Sequence, residues 1–253
     1  MKRAHVNALV GAAVLAASTG AEATLIDGSS LQGLIGGLYQ SAACPTCSQV
    51  SNAPNVYTDQ ATPDELFAIE ASGGSLLTLV FELAGNANLN KFGVYDSGNP
   101  SQRIELYSGA AGPGNSVMFG MDDLGMTYVN FVATGVAFFN NVFGYYLEAP
   151  SEVFYSQAHL NANGADQMVA YQGDGDKIKL PTKPAGIWGS SSFILAWEDI
   201  AYGASDRDFN DFVVYVESVT AVPEPGSLGL LSAGLLAFGF VARRRLKPSR
   251  AAA

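Results

Sequence analysis

Histidine, cysteine and basic side chains are all scarce in this sequence of 253 residues. There are two histidines, two cysteines, and 13 lysine or arginine residues against 23 acidic residues, which gives a net charge of −10. A negative chain with so few basic groups does not attract the phosphates of nucleic acid, so the composition argues against a nucleic-acid partner. Hydrophobic residues make up 48% of the chain and charged residues only 14%, which excludes an intrinsically disordered protein.

Common catalytic motifs are missing as well. The sequence contains no G-x-S-x-G, no H-E-x-x-H and no P-loop. His5 lies in the N-terminal segment, so His159 is the sole imidazole of the remaining chain, and a lone histidine is more often a surface residue than a base. A pair of carboxylates could hydrolyse a glycoside, but the sequence does not nominate the pair. We therefore expect a protein that is not an enzyme, with a secreted hydrolase as an alternative.

The basic residues that are present lie mostly at the two ends of the chain. Between Thr24 and Pro225 there are 6 basic and 22 acidic residues, a net charge of −16. The other seven basic residues are Lys2, Arg3, Arg243, Arg244, Arg245, Lys247 and Arg250. The sequence thus predicts a strongly acidic central domain between two ends of a different kind.

The N-terminal end has the three parts of a secretory signal peptide. Lys2 and Arg3 supply the positive start, residues 6–17 form an apolar run, and Ala21-Glu22-Ala23 fits the A-x-A cleavage pattern. An amphipathic helix or a membrane anchor is the alternative, but the run is too short to span a bilayer. We predict that signal peptidase removes residues 1–23 and that the exported protein begins at Thr24.

Residues 222–253 combine a proline motif, an apolar stretch and a basic cluster. Val222-Pro223-Glu224-Pro225 is followed by an uncharged apolar stretch at 227–242 and by a basic tail at 243–250 that opens with Arg243, Arg244 and Arg245. As a helix the stretch reaches about 24 Å, short of a hydrocarbon core of about 30 Å. We predict a single weak transmembrane helix with its C-terminus in the cytoplasm, because basic residues stay on that side. An ordinary one-pass anchor is the alternative, although the two prolines fix an extended segment that a protease could read.

These C-terminal features resemble the PEP-CTERM sorting signal of Gram-negative bacteria, over residues 222–250. In that family a membrane-embedded cysteine peptidase, exosortase, recognises the motif and processes the tail. Such proteins accompany exopolysaccharide production and biofilm or floc formation. The resemblance implies export from a Gram-negative bacterium, transient anchoring in the inner membrane, and release to the cell surface or the extracellular matrix. Its implied partners are exosortase and exopolysaccharide.

The acidic central region reads as an all-β domain. Apolar runs of 5 to 9 residues alternate with Gly, Asn, Pro and Ser, and none keeps a helical period over a dozen residues. The runs lie at 76–83, 91–95, 103–107, 116–121, 126–133, 142–148, 153–157, 168–172, 193–197 and 212–219. This pattern predicts a sandwich or jelly-roll-like domain over residues 66–221.

Residues 24–65 are expected to form an N-terminal segment with a surface loop at 42–61. The loop contains Cys44 and Cys47 in a C-x-x-C pattern. Such a pair can be a redox site, half of a zinc site, free thiols or a disulfide. Zinc would need two more ligands, and a redox motif normally opens a helix after a strand. In an oxidising compartment a small disulfide is the favoured interpretation.

An acidic loop at 198–211 is the most informative element of the domain. It carries five carboxylates and one amide oxygen: Glu198, Asp199, Asp206, Asp208, Asp211 and Asn210. Only Arg207 opposes these charges, so their mutual repulsion needs a compensating cation. Ca²⁺ takes six to eight oxygen ligands of this kind, although the loop lacks the glycine and the final glutamate of an EF-hand. We predict a Ca²⁺ site formed by these six residues; a solvated acidic turn is the alternative.

The same residues resemble the end of a recurrent bacterial surface domain of unknown function, family 4114. The resemblance rests on Trp197-Glu198-Asp199-Ile200 and Ser205-Asp206-Arg207-Asp208-Phe209-Asn210-Asp211-Phe212-Val213, and extends over residues 90–219 through the segments 92–96 and 143–147. Family members often carry a histidine where Gln167 stands. We expect an exported, non-enzymatic surface or matrix protein with a Ca²⁺-supported β-domain; a carbohydrate-binding module is the second hypothesis and a secreted hydrolase the third.

Overall fold

The structure is a computed structural model, and it describes residues 23–43, 53–70, 74–82, 88–109 and 111–223. Several predicted features lie outside the described residues. They are the signal peptide apart from Ala23, both cysteines, Glu224 and Pro225, the spanning helix and the basic tail. Within the described part, one α-helix and fifteen strands form the regular structure, together with two short 3₁₀-helices.

The bounds of these elements follow the chain in order. They are α1 (Ser29–Ala43), β1 (Leu66–Ile69), β2 (Ser75–Glu82), β3 (Lys91–Asp96), β4 (Asn99–Ser108), β5 (Ser116–Met121), β6 (Met126–Val129), β7 (Val132–Ala137), β8 (Phe143–Glu148), β9 (Val153–Tyr155), β10 (Met168–Gln172), β11 (Asp176–Ile178), β12 (Gly186–Trp188), β13 (Ser192–Trp197), β14 (Phe212–Glu217) and β15 (Val219–Val222). The 3₁₀-helices span Ala158–Leu160 and Ala162–Gly164.

The strands form two large antiparallel sheets and one hairpin. The first sheet has the order β15-β1-β8-β3-β4, with β9 beside β8. The second has the order β10-β13-β14-β2-β5-β6-β7, and β11 pairs with β12. The sequence-based prediction of an all-β fold is therefore confirmed.

Aromatic side chains pack the two sheets face to face. Phe92 of the first sheet stacks on Phe212 of the second, with 4.9 Å between ring centroids. Phe67 meets Phe193 edge to face at 5.3 Å in the same interior. Large rings of this kind remove much apolar area from water and stabilise a sandwich of two sheets.

Helix α1 covers the outer face of the second sheet. The sequence predicts an N-terminal segment here but no helix. Leu31, Ile35, Leu38 and Tyr39 recur at helical spacing, and all four are buried. They join a second apolar cluster that contains Ile194 of β13. Strand β13 is thus buried on both faces, which explains why its sequence is a continuous apolar run.

The run at 126–133 is not one strand but a tight hairpin of β6 and β7. Asn130 and Phe131 have positive φ angles of 50° and 66°, and Val129 pairs with Val132. Consecutive left-handed residues reverse the chain in a two-residue turn. Asparagine adopts this conformation readily but phenylalanine does not, so the turn has a weak sequence signature.

The chain leaves the domain at the edge of the first sheet. Strand β15 pairs with β1 from Leu66↔Val222 to Ile69↔Val219 and is the outermost strand. Pro223 follows and is exposed. Because proline has no N–H to donate, the ladder ends there.

Candidate functional site

The acidic loop connects β13 and β14, two neighbouring inner strands of the second sheet. Trp197 of β13 and Phe212 of β14 form the last pair of their ladder, so the loop starts and ends at adjacent positions. Glu198 and Asp211 therefore stand side by side at its mouth. This geometry folds the loop's charges back toward one another.

Three of the predicted ligands form one cluster. An oxygen from each of Glu198, Asp206 and Asp208 lies within 4.8 Å of the other two. Glu198 is fully buried, Asp208 is half-buried and Asp206 is exposed. In the part of the chain that the structure describes, this is the one group of three such metal-ligating side chains.

Glu198 is the fixed member of the cluster. Its Oε1 accepts a hydrogen bond of 2.6 Å from the backbone N–H of Phe209. Its Oε2 is also buried and has no hydrogen-bond partner among the described residues. Buried polar atoms are nearly always paired, so this unpaired carboxylate oxygen is suited to accept a hydrogen-bond donor or to ligate a cation.

Phe209 explains how the loop collapses onto Glu198. Its ring is completely buried in the apolar cluster beneath helix α1. Arg207 and Phe209 have positive φ angles of 59° and 52°, a strained conformation for such residues. Burial of the phenyl ring offsets this strain, and the turn brings Asp206 and Asp208 over the glutamate.

The N-terminal segment closes the cluster from the other side. The Ser30 hydroxyl donates to Asp208 Oδ2 at 3.2 Å, and Asn210 Nδ2 donates to Ser30 Oγ at 2.6 Å and to Asp208 Oδ2. The backbone N–H of Ile26 donates to the Arg207 carbonyl at 3.0 Å. The cluster therefore joins helix α1 to the sheet. Ser30 belongs to the site although it lies far from the acidic loop in sequence.

Burial raises the pKa of both Glu198 and Asp208. The hydrogen bond from the Phe209 N–H lowers the pKa of Glu198, whereas the charges of Asp206 and Asp208 raise it further. The nearby Ser205 side chain also lowers the pKa of Glu198, but it does not form a hydrogen bond with Oε2. A bound cation would reverse these shifts, since it favours the ionised carboxylates.

Among the described residues, no basic side chain forms an ion pair with the cluster. The guanidinium of Arg207 lies over the Tyr202 ring, 4.0 Å from its centroid, and Nε donates to the Tyr202 carbonyl at 3.4 Å. The ion pairs of the described part involve Glu148, far along the chain, and none reaches the loop. A net negative cluster with an unpaired carboxylate oxygen is suited to a cation.

Asp199 and Asp211 form a separate pair. The Asp199 N–H donates to Asp211 Oδ2 at 3.0 Å, and Asn90 Nδ2 donates to Asp199 Oδ2 at 3.0 Å. Burial raises the pKa of Asp211 to about 7, and the charge of Asp199 adds to the shift. A proton held by this pair relieves its repulsion without a metal. Asn90 lies outside the acidic motif, so nothing in the loop's sequence indicates its part.

Asn210 faces the cluster through its amide nitrogen rather than its oxygen. Both contacts of this group are donations, to Ser30 Oγ and to Asp208 Oδ2. The structure thus brings together Glu198, Asp206 and Asp208, with Asn210 as a supporting donor, and places the Asp199–Asp211 pair apart from them.

Comparison with known families supports both resemblances. Residues 127–219 match the family model described as domain of unknown function (DUF4114), and residues 221–245 match the PEP-CTERM protein-sorting motif. No curated protein and no solved structure matches the chain. The first match contains the whole acidic loop but begins at residue 127, so residues 90–126 of the resembling region lie outside it.

The sorting match indicates where the protein is sent after synthesis. A PEP-CTERM motif indicates export in a Gram-negative bacterium and exosortase-dependent sorting to the cell surface. The matched motif begins at residue 221, within the last strand β15, so in sequence it adjoins the folded domain. Among the described residues no helix is long and apolar enough to cross a membrane.

Proposed function

We propose that this chain is a non-enzymatic surface or matrix protein whose β-domain binds one Ca²⁺ through Glu198, Asp206 and Asp208. The observation that carries the proposal is the buried Glu198 Oε2, which has no partner among the described residues and lies within a cluster of three carboxylates. Carboxylate and backbone oxygens in an irregular loop suit Ca²⁺, whereas Mg²⁺ demands near-ideal octahedral geometry. Further oxygens would come from backbone carbonyls and water.

The bound ion would stabilise the contact between the N-terminal segment and the sheet. Asp208 is hydrogen-bonded to Ser30 of helix α1, and Asp27 is close enough for its charge to raise the pKa of Asp208. A cation held here therefore reduces repulsion between two parts of the chain that are distant in sequence. Extracellular Ca²⁺ modules bind with Kd values of about 10⁻⁴ to 10⁻³ M, which suits a protein at the cell surface.

We further propose how the protein is processed and what it contacts at the cell surface. Signal peptidase and exosortase act on its two ends, and the inner membrane holds it through residues 227–242 during transit. Exopolysaccharide is the proposed partner of the exposed domain in a biofilm matrix. The lack of a catalytic motif supports a non-enzymatic role, and release of reducing sugar from a polysaccharide by the purified protein would contradict it.

Metal analysis tests the calcium proposal. Full-length protein is dialysed against about 10 mM Ca²⁺, about tenfold above the weakest Kd of extracellular sites, and its metal content is measured by mass spectrometry. We expect one Ca²⁺ per chain in the wild type and far less in the double variant Asp206→Asn, Asp208→Asn. The matched control changes Asp174 and Asp176 to asparagine in another D-x-D turn, and keeps the ion. Equal calcium in wild type and the first double variant would refute the site.

A further inference from the structure

A cavity of about 370 Å³ lies between two loops beside the second sheet. One wall is formed by residues 161–167, which follow β9, and the other by residues 201–203 of the acidic loop. Glu152 and Phe154 complete the lining. The volume is in the range of small-molecule sites, which are about 300 to 1,000 Å³.

Side-chain amides hold both walls in place. Asn161 Oδ1 accepts from Tyr155 N–H at 2.8 Å, and its Nδ2 donates to the carbonyls of Tyr155 and Ala165 at 2.8 and 2.9 Å. Gln167 Nε2 donates to the Ile200 carbonyl at 2.9 Å and so ties one wall to the other. A pocket fixed in this way needs little ordering when a ligand enters.

The side-chain oxygen of Gln167 is a strong hydrogen-bond acceptor that has no donor among the described residues. The side chain is 1% exposed, and its Oε1 is buried without a hydrogen-bond partner among the described residues. A buried amide oxygen is destabilising unless a donor is supplied. Because Gln167 lines the cavity, a ligand hydroxyl placed there can supply that donor.

The charges of the remaining lining disfavour an anionic ligand. Of the described residues that line the cavity, none is a lysine, arginine or histidine, whereas Glu152, Asp166 and Asn163 add further acceptors. Burial raises the pKa of Asp166 to about 8, with the charge of Asp64 the next contribution, so this carboxyl is mostly protonated at neutral pH. A neutral acid both donates and accepts, which favours an uncharged hydroxylated ligand over a metal cation.

Tyr202 supplies an apolar surface at the same cavity. Its ring is partly exposed and is held by the guanidinium of Arg207 at 4.0 Å. Both tryptophans, Trp188 and Trp197, are fully buried and therefore cannot serve as sugar platforms. Tyr202 and Phe154 are the aromatic side chains of the lining.

We propose that this cavity binds a neutral saccharide unit, with a sugar hydroxyl donating to Gln167 Oε1 and the sugar's apolar face against Tyr202. This inference goes beyond the calcium proposal and does not depend on it, because the cavity and its unpaired acceptor lie outside the three-carboxylate cluster. It assigns a place on the domain at which a neutral polysaccharide chain can be held.

Ligand-observed saturation-transfer NMR tests the proposal on the full-length chain in a detergent without a sugar headgroup. The probes are glucose, galactose, mannose and N-acetylglucosamine, with glucuronate as the charged comparison. We expect transfer to at least one neutral sugar and none to glucuronate, in calcium and in EDTA alike. Absence of transfer to every neutral sugar, or transfer to glucuronate alone, overturns the proposal.

Three variants locate the binding. Gln167→Met removes the acceptor and should weaken binding at least about tenfold, a loss expected for an unpaired hydroxyl contact. Gly203→Phe places a ring at a lining position where an added Cβ meets no atom within 4 Å, and should block the cavity without disturbing the fold. Gln172→Met is the matched control, because that exposed glutamine also donates to a backbone carbonyl, of Ser190, but lies away from the cavity. Unchanged binding in Gly203→Phe would refute the site even if Gln167→Met failed to fold.

Discussion

Replacing Glu198 by glutamine isolates the role of its charge. The amide oxygen of the introduced side chain can still accept from the Phe209 N–H, so the 2.6 Å hydrogen bond of the glutamate has a replacement. The change removes one of three clustered negative charges and puts an amide in place of the bare Oε2. We expect weaker calcium binding together with equal or greater stability in EDTA, because repulsion from Asp206 and Asp208 is reduced.

The size of the effect follows from ligand linkage. Calcium at a hundredfold excess over Kd stabilises the wild type by about 2.7 kcal/mol. For a domain of this size each kcal/mol raises Tm by about 2 to 4 °C, so the expected shift is about 5 to 11 °C. If the substitution weakens binding tenfold, the same calcium concentration adds only about 1.4 kcal/mol, and the shift falls to about half.

The assay is thermal unfolding of wild type and variant in about 10 mM Ca²⁺, a hundredfold excess over a Kd of about 10⁻⁴ M, and in EDTA. Glu198→Ala is the control for packing, because it strands the Phe209 N–H and should cost about 1 to 3 kcal/mol in both solutions. The double variant Asp206→Asn, Asp208→Asn should lose most of the calcium shift and be no less stable than wild type in EDTA. An equal calcium shift of Tm in wild type and Glu198→Gln would show that the Glu198 charge does not bind the ion.

Three further predictions concern the core, the buried acids and the tail. Phe92→Ala should lower the free energy of unfolding by about 3 to 5 kcal/mol in urea titrations, because the Phe92 ring contacts four other rings. The control Phe139→Ala changes an exposed ring and should alter the free energy of unfolding by no more than about 0.5 kcal/mol. Similar losses in both variants would show that the aromatic interior does not hold the two sheets together. The raised pKa values of Asp166, about 8, and Asp211, about 7, mean that the folded state keeps these protons to a higher pH than the unfolded chain does. The free energy of unfolding in EDTA should therefore fall between pH 5 and 8, by at most about 1.4 kcal/mol per pH unit for each group, and a flat or rising profile would contradict this. Alanines in place of Pro223-Glu224-Pro225 should leave export intact but block processing of the tail, measured by immunoblot of cell fractions; a variant that matures like wild type would contradict the role of the motif.

The strands around the site were predictable because their sequences are short apolar runs between turn residues. The runs at 193–197 and 212–219 correspond to Ser192–Trp197 and Phe212–Glu217. Helix α1 was not predicted, since it contains Gly33, Gly36 and Gly37, which lower helix propensity. Its apolar side chains become a helix face only when the outer side of the second sheet is there to cover them.

The acidic loop was predictable as a charge cluster but not as a geometry. Six nearby oxygen-bearing side chains predicted one site, and the structure gathers three carboxylates and pairs Asp199 with Asp211 instead. The division depends on the burial of Phe209 and on contacts with Asn90 and Ser30, which lie far away in sequence. Such contacts leave no local pattern for a sequence to reveal.

A crystal structure of the protein grown with calcium, with anomalous scattering data, would show whether the three carboxylates bind Ca²⁺. We expect one anomalous peak with oxygens of Glu198, Asp206 and Asp208 at about 2.3 to 2.6 Å, the distances typical of Ca²⁺ ligands. Glu198 Oε2, which has no partner among the described residues, should be among those ligands. Density for water alone at this cluster, in crystals saturated with calcium, would show that Glu198, Asp206 and Asp208 do not form a calcium site.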